Sequence, residues 1–233
     1  MEIPSAAQVP RSARVPHATW TVGAVAWVLT LGYFAAQLGP AAAWSDPPYS
    51  FLANTISDLG NAGCGPFRGI GGTMVVCSPL HAIMNAAFVA LGVLTALGAI
   101  LLWRWWPRGR LVATGLVGVI TSGVGGILVG LAPADVAVPV HLAGVALQPL
   151  GVVGMFLLGL ATWHERSLRS ILGLALGGVS IIACALLFAR TDFGLGFGVI
   201  ERLAFDTLTI WTGVLGIVVL AGGGRGRRPA ASV

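Results

Sequence analysis

The chain has 233 residues, of which 56% are hydrophobic and only 9% charged, and its mean hydropathy is +0.89. A soluble domain carries about a quarter charged residues, so this composition excludes one and describes an integral membrane protein. All 13 basic residues are Arg, and they sit where membrane topology wants positive charge, so the pI near 10.1 gives no reason to expect a nucleic-acid partner.

Uncharged or nearly uncharged stretches of about 20 residues are long enough to cross a bilayer as helices. In chain order they predict spans at 20–39, 79–103, 111–132, 139–162, 169–189 and 199–221. The fold class is therefore an all-α six-helix transmembrane bundle. A tail at 1–19 precedes the single domain at 20–221, and an Arg-rich tail at 222–233 follows it. The first stretch has a rival reading as a signal peptide, with Arg11 and Arg14 before the apolar run and "AAAW" at 41–44 after it. The run is long for that role and contains Tyr33 and Gln37, which favours a retained helix.

Ten arginines fall on the side of the termini (Arg11, Arg14, Arg104, Arg108, Arg110, Arg166, Arg169, Arg225, Arg227, Arg228), and Arg68, Arg190 and Arg202 fall on the other. The positive-inside rule then predicts a multi-pass protein of the cell membrane with both termini cytoplasmic. The loop at about 40–78 faces outward. Trp103, Trp105 and Trp106 suit an aromatic belt at the inner interface.

That loop holds Cys64 and Cys77, expected as a disulfide on the oxidising face. Closing a loop of this length stabilises by about 3 kcal/mol in the chain-entropy model. Ser78 followed by Pro79 reads as a helix N-cap and first position. The third span, "TGLVGVITSGVGGILVG", is rich in small residues that let helices approach closely.

Ionisable groups inside a membrane cost about 3 kcal/mol each on insertion scales, and here they gather at one level. Ser78, His81 and Asn85 share a face of the second span, and His141, Gly144 and Gln148 repeat the pattern on the fourth. Arg202, Asp206 and Thr209 share a face of the sixth, with Glu201 adjacent; Arg202 and Asp206 also have ion-pair spacing. All three stripes begin at the external side and are expected to converge, because polar groups facing lipid would stay unpaired. The loop motif "NTISDLG" enters from above. If residues 54–59 form a helical turn, Asn54, Ser57 and Asp58 point the same way, with Asp58 directed at His81, His141 and Glu201. Asp46, Asp135 and Asp192 read as solvated loop charges.

The segments "NTISDLGN", "CSPLHAIMNAAFVALG" and "GVIERLAFDTLTIWTGVLG" resemble motifs of a bacterial six-pass membrane family known as domain of unknown function 998, over about residues 20–221. The resemblance implies the six-helix fold and marks Ser57, Asp58, Gly60, His81, His141, Glu201 and Arg202, but brings no activity. The loop motif and the Glu that opens the last helix are also similar, remotely, to the eukaryotic Frag1/DRAM/Sfk1 group, which implies lipid as the ligand.

Three functions are carried forward. The first is a membrane-embedded enzyme acting on a lipid or isoprenoid head group. His81 or His141 would be its general base or a ligand to a divalent metal, with Asp58 as a further ligand. Asp58 and Glu201 would orient the imidazoles or act as partner acid. Arg202 would hold a phosphate or carboxylate, and Asn54, Ser57, Asn85, Gln148 and Asp206 would line the substrate site. The second is a non-catalytic lipid-binding or transport protein using the same cluster. The third, ranked last because it needs two facing rings, is a b-type haem protein with His81 and His141 as axial ligands.

Overall fold

A computed structural model describes residues 17–222. The tail positions Arg11, Arg14, Arg225, Arg227 and Arg228 lie outside the described residues. Among the described residues six helical spans are long and apolar enough to cross a membrane, at Ala18–Ala43, His81–Leu101, Arg110–Leu131, Val138–Ala161, Leu168–Phe188 and Phe197–Gly222. Each matches a predicted span to within a few residues, and the chain is a multi-pass membrane protein.

The first span is two helices, α1 (His17–Leu29) and α2 (Gly32–Ala43). At the joint the backbone tightens to three-residue hydrogen bonds, Thr30 N–H to the Trp27 carbonyl (3.2 Å) and Leu31 N–H to that of Val28 (3.1 Å). The Thr30 hydroxyl donates to the same Trp27 carbonyl at 2.6 Å, and Gly32 is a poor helix former. The span is an integral part of the bundle: Trp27 is fully buried and its indole N–H donates to the Thr95 carbonyl at 3.1 Å.

The other spans are α3 (His81–Leu101), α4 (Arg110–Leu131), α5 (Val138–Ala161), α6 (Leu168–Phe188) and α7 (Phe197–Gly222). They close a ring in which α3 packs on α4, α4 on α5, α5 on α6, α6 on α7, and α1 seals α7 to α3. Lipid tails are as apolar as leucine, so association depends on close packing. Gly125 and Gly144 show it at the α4–α5 contact: a Cβ on Gly125 would lie 2.6 Å from the Gly144 carbonyl oxygen, and one on Gly144 would lie 2.7 Å from that of Gly125. Pro149 sits within α5, which continues through it.

Residues 44–80 gather at one end of the bundle, and both described chain ends lie at the other. The loop contains a two-stranded hairpin, β1 (Gly65–Gly69) and β2 (Gly72–Val76), with Gly65 opposite Val76. The Cys64–Cys77 disulfide is present and closes the open end of this hairpin. The all-α reading missed the hairpin because short glycine-rich strands give no usable alternation. Its turn is marked by Gly72, at φ +107°, a conformation that glycine alone adopts readily. The expected helix start at Pro79 is also corrected. Helix α3 begins at His81 without a side-chain cap, because the Ser78 hydroxyl instead donates to the Leu59 carbonyl at 2.7 Å.

Candidate functional site

The loop motif folds as a capped turn. The Thr55 hydroxyl accepts the Asp58 N–H (3.2 Å), while an Asp58 carboxylate oxygen accepts the Thr55 N–H (2.9 Å). This reciprocal pair is a capping box with Asp in the third position, and it starts a short 3₁₀ turn at Ser57–Gly60. The Asn54 amide donates to the same Asp58 oxygen at 3.4 Å. Asp58 is buried as expected, yet its hydrogen-bond partners are these loop groups, not a histidine. Burial raises its carboxyl above the ordinary 3.8, and the Thr55 and Asn54 hydrogen bonds oppose that rise.

The turn delivers Ser57, not Asp58, to the imidazole. Ser57 Oγ lies 3.2 Å from His141 Nε2 and 3.0 Å from Glu201 Oε1. Glu201, in the first turns of α7, also accepts the Ile56 N–H, so one carboxylate binds two consecutive residues of the loop. On the far side of the ring, His141 Nδ1 lies 2.8 Å from the carbonyl oxygen of Ala132 at the end of α4. A carbonyl only accepts, so Nδ1 carries a proton. Both His141 and Glu201 are buried, at 5% and 7% exposure.

Proton counting then restricts the states of this chain. Ser57 has one hydroxyl proton. If it donates to an ionised Glu201, Nε2 must donate to Ser57 and His141 is an imidazolium. If it donates to Nε2, Glu201 must be protonated and donate to Ser57. With both Ser57 hydrogen bonds made at once, the trio is neutral and one shared proton sits at one end or the other. Ser57 is the conduit between them.

Below this chain lies a cavity of about 50 Å³, lined by Tyr33, Ser57, Thr95, Ser122, Gln148, Glu201, Asp206 and Thr209 among apolar neighbours. That volume accommodates a few waters among polar partners. Asp206 accepts the Gln37 amide at 2.9 Å, and among the described residues it forms no ion pair with Arg202 despite their spacing. Arg202 is a clasp. Its Nη1 donates to the carbonyls of Gly198 (2.8 Å), Phe51 and Asn54 (both 3.2 Å), and its Nη2 to the Tyr49 hydroxyl (2.6 Å). The guanidinium also lies over the Phe51 ring at 4.8 Å. The group holds the loop on α7, and its Nε is buried with no acceptor among the described residues.

The family model described as "Protein of unknown function (DUF998)" matches residues 30–218, most of the chain. The chain belongs to this family. No curated protein and no solved structure matches it. The matched stretch of this DUF998 chain includes Gln37, Ser57, His141, Glu201 and Asp206, but the family's description names no activity, so chemistry has to come from the geometry.

The remaining candidates divide. Asn85 donates to the Gly60 carbonyl at 2.8 Å and steadies the end of the turn, while Gln148 faces the cavity. His81 Nδ1 lies 3.0 Å from the Ser78 carbonyl in its own helix start, outside the Ser57 chain. Among the described residues no three His, Cys, Asp or Glu side chains gather where they could hold a metal. Both ring nitrogens of His141 lie within hydrogen-bond distance of protein groups, Nδ1 of the Ala132 carbonyl and Nε2 of Ser57 Oγ. Asp135, read as a solvated charge, instead accepts the N–H groups of Ala62 (3.0 Å) and Gly63 (2.6 Å) and ties the α4–α5 connection to the loop. Asp192 caps its own turn through the N–H groups of Gly194 and Gly196. Sequence reasoning missed Tyr33 and Gln37 as site residues. The available signal was two polar-tipped residues four apart, hence on one face, in an otherwise apolar span.

Proposed function

We propose that this protein is a membrane-embedded enzyme acting on a lipid or isoprenoid head group at the outer leaflet of the cell membrane, with both termini cytoplasmic. The observation that carries the reading is the Glu201–Ser57–His141 chain, buried at both ends and half-buried at Ser57, beside a small cavity of mixed polar and apolar lining. Such a chain delivers or removes a proton without leaving a buried group unpaired, which is what general acid–base catalysis needs. His141 is the proton acceptor, oriented by the Ala132 carbonyl, and Glu201 is the complementary acid. Waters in the cavity supply the co-reactant for hydrolysis of a head-group bond. The arginine distribution supports the orientation, and a site set in a bundle of membrane-spanning helices supports lipid as the substrate class.

The test is turnover of total bacterial polar lipid in vesicles containing the protein, followed by mass spectrometry. One lipid class should change its head group over time, and His141→Ala and Ser57→Ala should slow that change by roughly 100-fold or more, the usual contribution of acid–base catalysis. An unchanged lipid profile, or equal rates in His141→Ala, overturns the reading.

A second reading, proton-coupled transport without chemistry, is favoured by one feature. The polar lining continues past the chain to Asp206, Gln148, Thr95 and Ser122. Movement of a lipid between leaflets with its head group intact would select this reading over the enzyme.

A further inference from the structure

The opposite end of the bundle has a second concavity, a groove of about 1640 Å³ where the two ends of the described chain meet. Its walls include Trp105, Trp106, Arg104, Arg108 and Arg169. Arg169 is fixed in place: it pairs with Glu165, and its guanidinium lies 4.9 Å from the Trp105 ring centre and 5.5 Å from that of Trp106. Arg104 and Arg108 are exposed and form no ion pair among the described residues, so the groove keeps an excess of positive charge. Trp106 is 4% exposed, and its indole N–H has no acceptor among the described residues. Both α4 and α6 begin at this groove, from Gly109 and Ser167, and neither has a side-chain cap. Their first-turn N–H groups add partial positive charge at the same place.

The lining also has an aliphatic part, with Val112, Leu168 and Leu220 as examples, beside the aromatic rings and a few small polar side chains such as Thr21 and Ser167. A basic rim over an aromatic and aliphatic wall, at the level where the spanning helices end, matches a phosphodiester with acyl chains attached. A free phosphate would use the rim and gain nothing from the wall. The chain's own tails, residues 1–16 and 223–233, contribute five more arginines against one carboxylate side chain. They bring the groove no surplus of counter-charge. We propose that the groove binds the head group of an anionic phospholipid in the leaflet at this end of the bundle. The site is separate from the Ser57 chain and does not depend on the function proposed for it.

The experiment uses the full chain in phosphatidylcholine vesicles containing brominated phosphatidylglycerol or brominated phosphatidylcholine, with quenching of the native tryptophans as readout. Brominated phosphatidylglycerol should reach half-maximal quenching at a several-fold lower mole fraction. Unlabelled phosphatidylglycerol should reverse that preference in the unaltered protein, and inorganic phosphate should not. Arg104→Ala and Arg108→Ala should each weaken the preference by roughly fivefold, the share of one arginine near an anionic surface, while Arg68→Ala with Arg190→Ala should leave it intact. Equal quenching by the two lipids, or loss of the preference to phosphate, overturns the proposal. So does a preference that survives the Arg104/Arg108 double variant.

Discussion

Glu201 accepts hydrogen bonds from two successive loop residues, so its removal and its neutralisation should have very different costs. In Glu201→Ala the Ile56 N–H, on a residue only 3% exposed, loses its acceptor. An unpaired buried donor costs about 1–3 kcal/mol, and the vacated side-chain volume adds to that, so a loss of about 2–4 kcal/mol is expected. In Glu201→Gln the amide oxygen still accepts from Ile56, and the amide nitrogen donates to Ser57, whose proton then goes to His141. Only the charge assistance is lost, and the burial cost of a charge goes with it. The stability should therefore lie within about 1 kcal/mol of the parent. Urea unfolding in mild detergent measures both variants. The glutamine variant should also lose function while folded, because His141 is then locked neutral. Equal destabilisation by Gln and Ala, or an Ala variant as stable as the parent, would refute the reasoning.

Other outcomes follow from the same contacts. Asp58→Asn keeps an acceptor for the Thr55 N–H and should be nearly neutral, whereas Asp58→Ala should cost about 1 kcal/mol, the value of a lost cap; thermal unfolding separates them. Because burial raises the folded-state pKa of Asp58, the folded protein keeps this proton where the unfolded chain has lost it. Stability from this group is then full below about 3.8 and declines as pH rises through the raised value; Asp58→Asn should flatten that decline in unfolding measured against pH. Arg202→Lys should free the 49–54 segment, since one ammonium cannot reproduce the fork of bonds to three carbonyls and Tyr49; faster amide exchange there is the readout. Gly125→Val should disrupt the α4–α5 contact and lower the unfolding temperature, whereas Gly178→Ala, with open space around it, should not.

The spans were legible because composition and length alone decide which stretches cross a bilayer, and the six came out within a few residues. The convergence of His141 and Glu201 was legible in part: depth put both at the external helix ends, but helical spacing set Glu201 beside the face of Arg202, Asp206 and Thr209 and brought in His81, which stays outside the chain. Side-chain pairing was not. Asp58 and Ser57 are neighbours in one turn, and only the reciprocal bonds with Thr55 decide that the carboxylate closes the turn while the hydroxyl reaches the ring. "T-I-S-D" carries the capping-box spacing, which competes with its reading as a cluster of functional groups. Arg202 and Asp206 have the separation of an ion pair, but loop carbonyls and Gln37, far away in sequence, claim them first. Spacing along one helix cannot report such competition.

The central claim is that Glu201, Ser57 and His141 share a single proton. Infrared spectra of the Glu201 carboxyl and nitrogen NMR of His141, recorded on one bilayer sample as pH or temperature shifts the balance, test it most directly. The account predicts that the protonated-carboxyl signal grows as the imidazolium signal falls, in equal proportion, and that Ser57→Ala uncouples the two. Independent titration of the two groups in the unaltered protein, or coupling that survives Ser57→Ala, would contradict it.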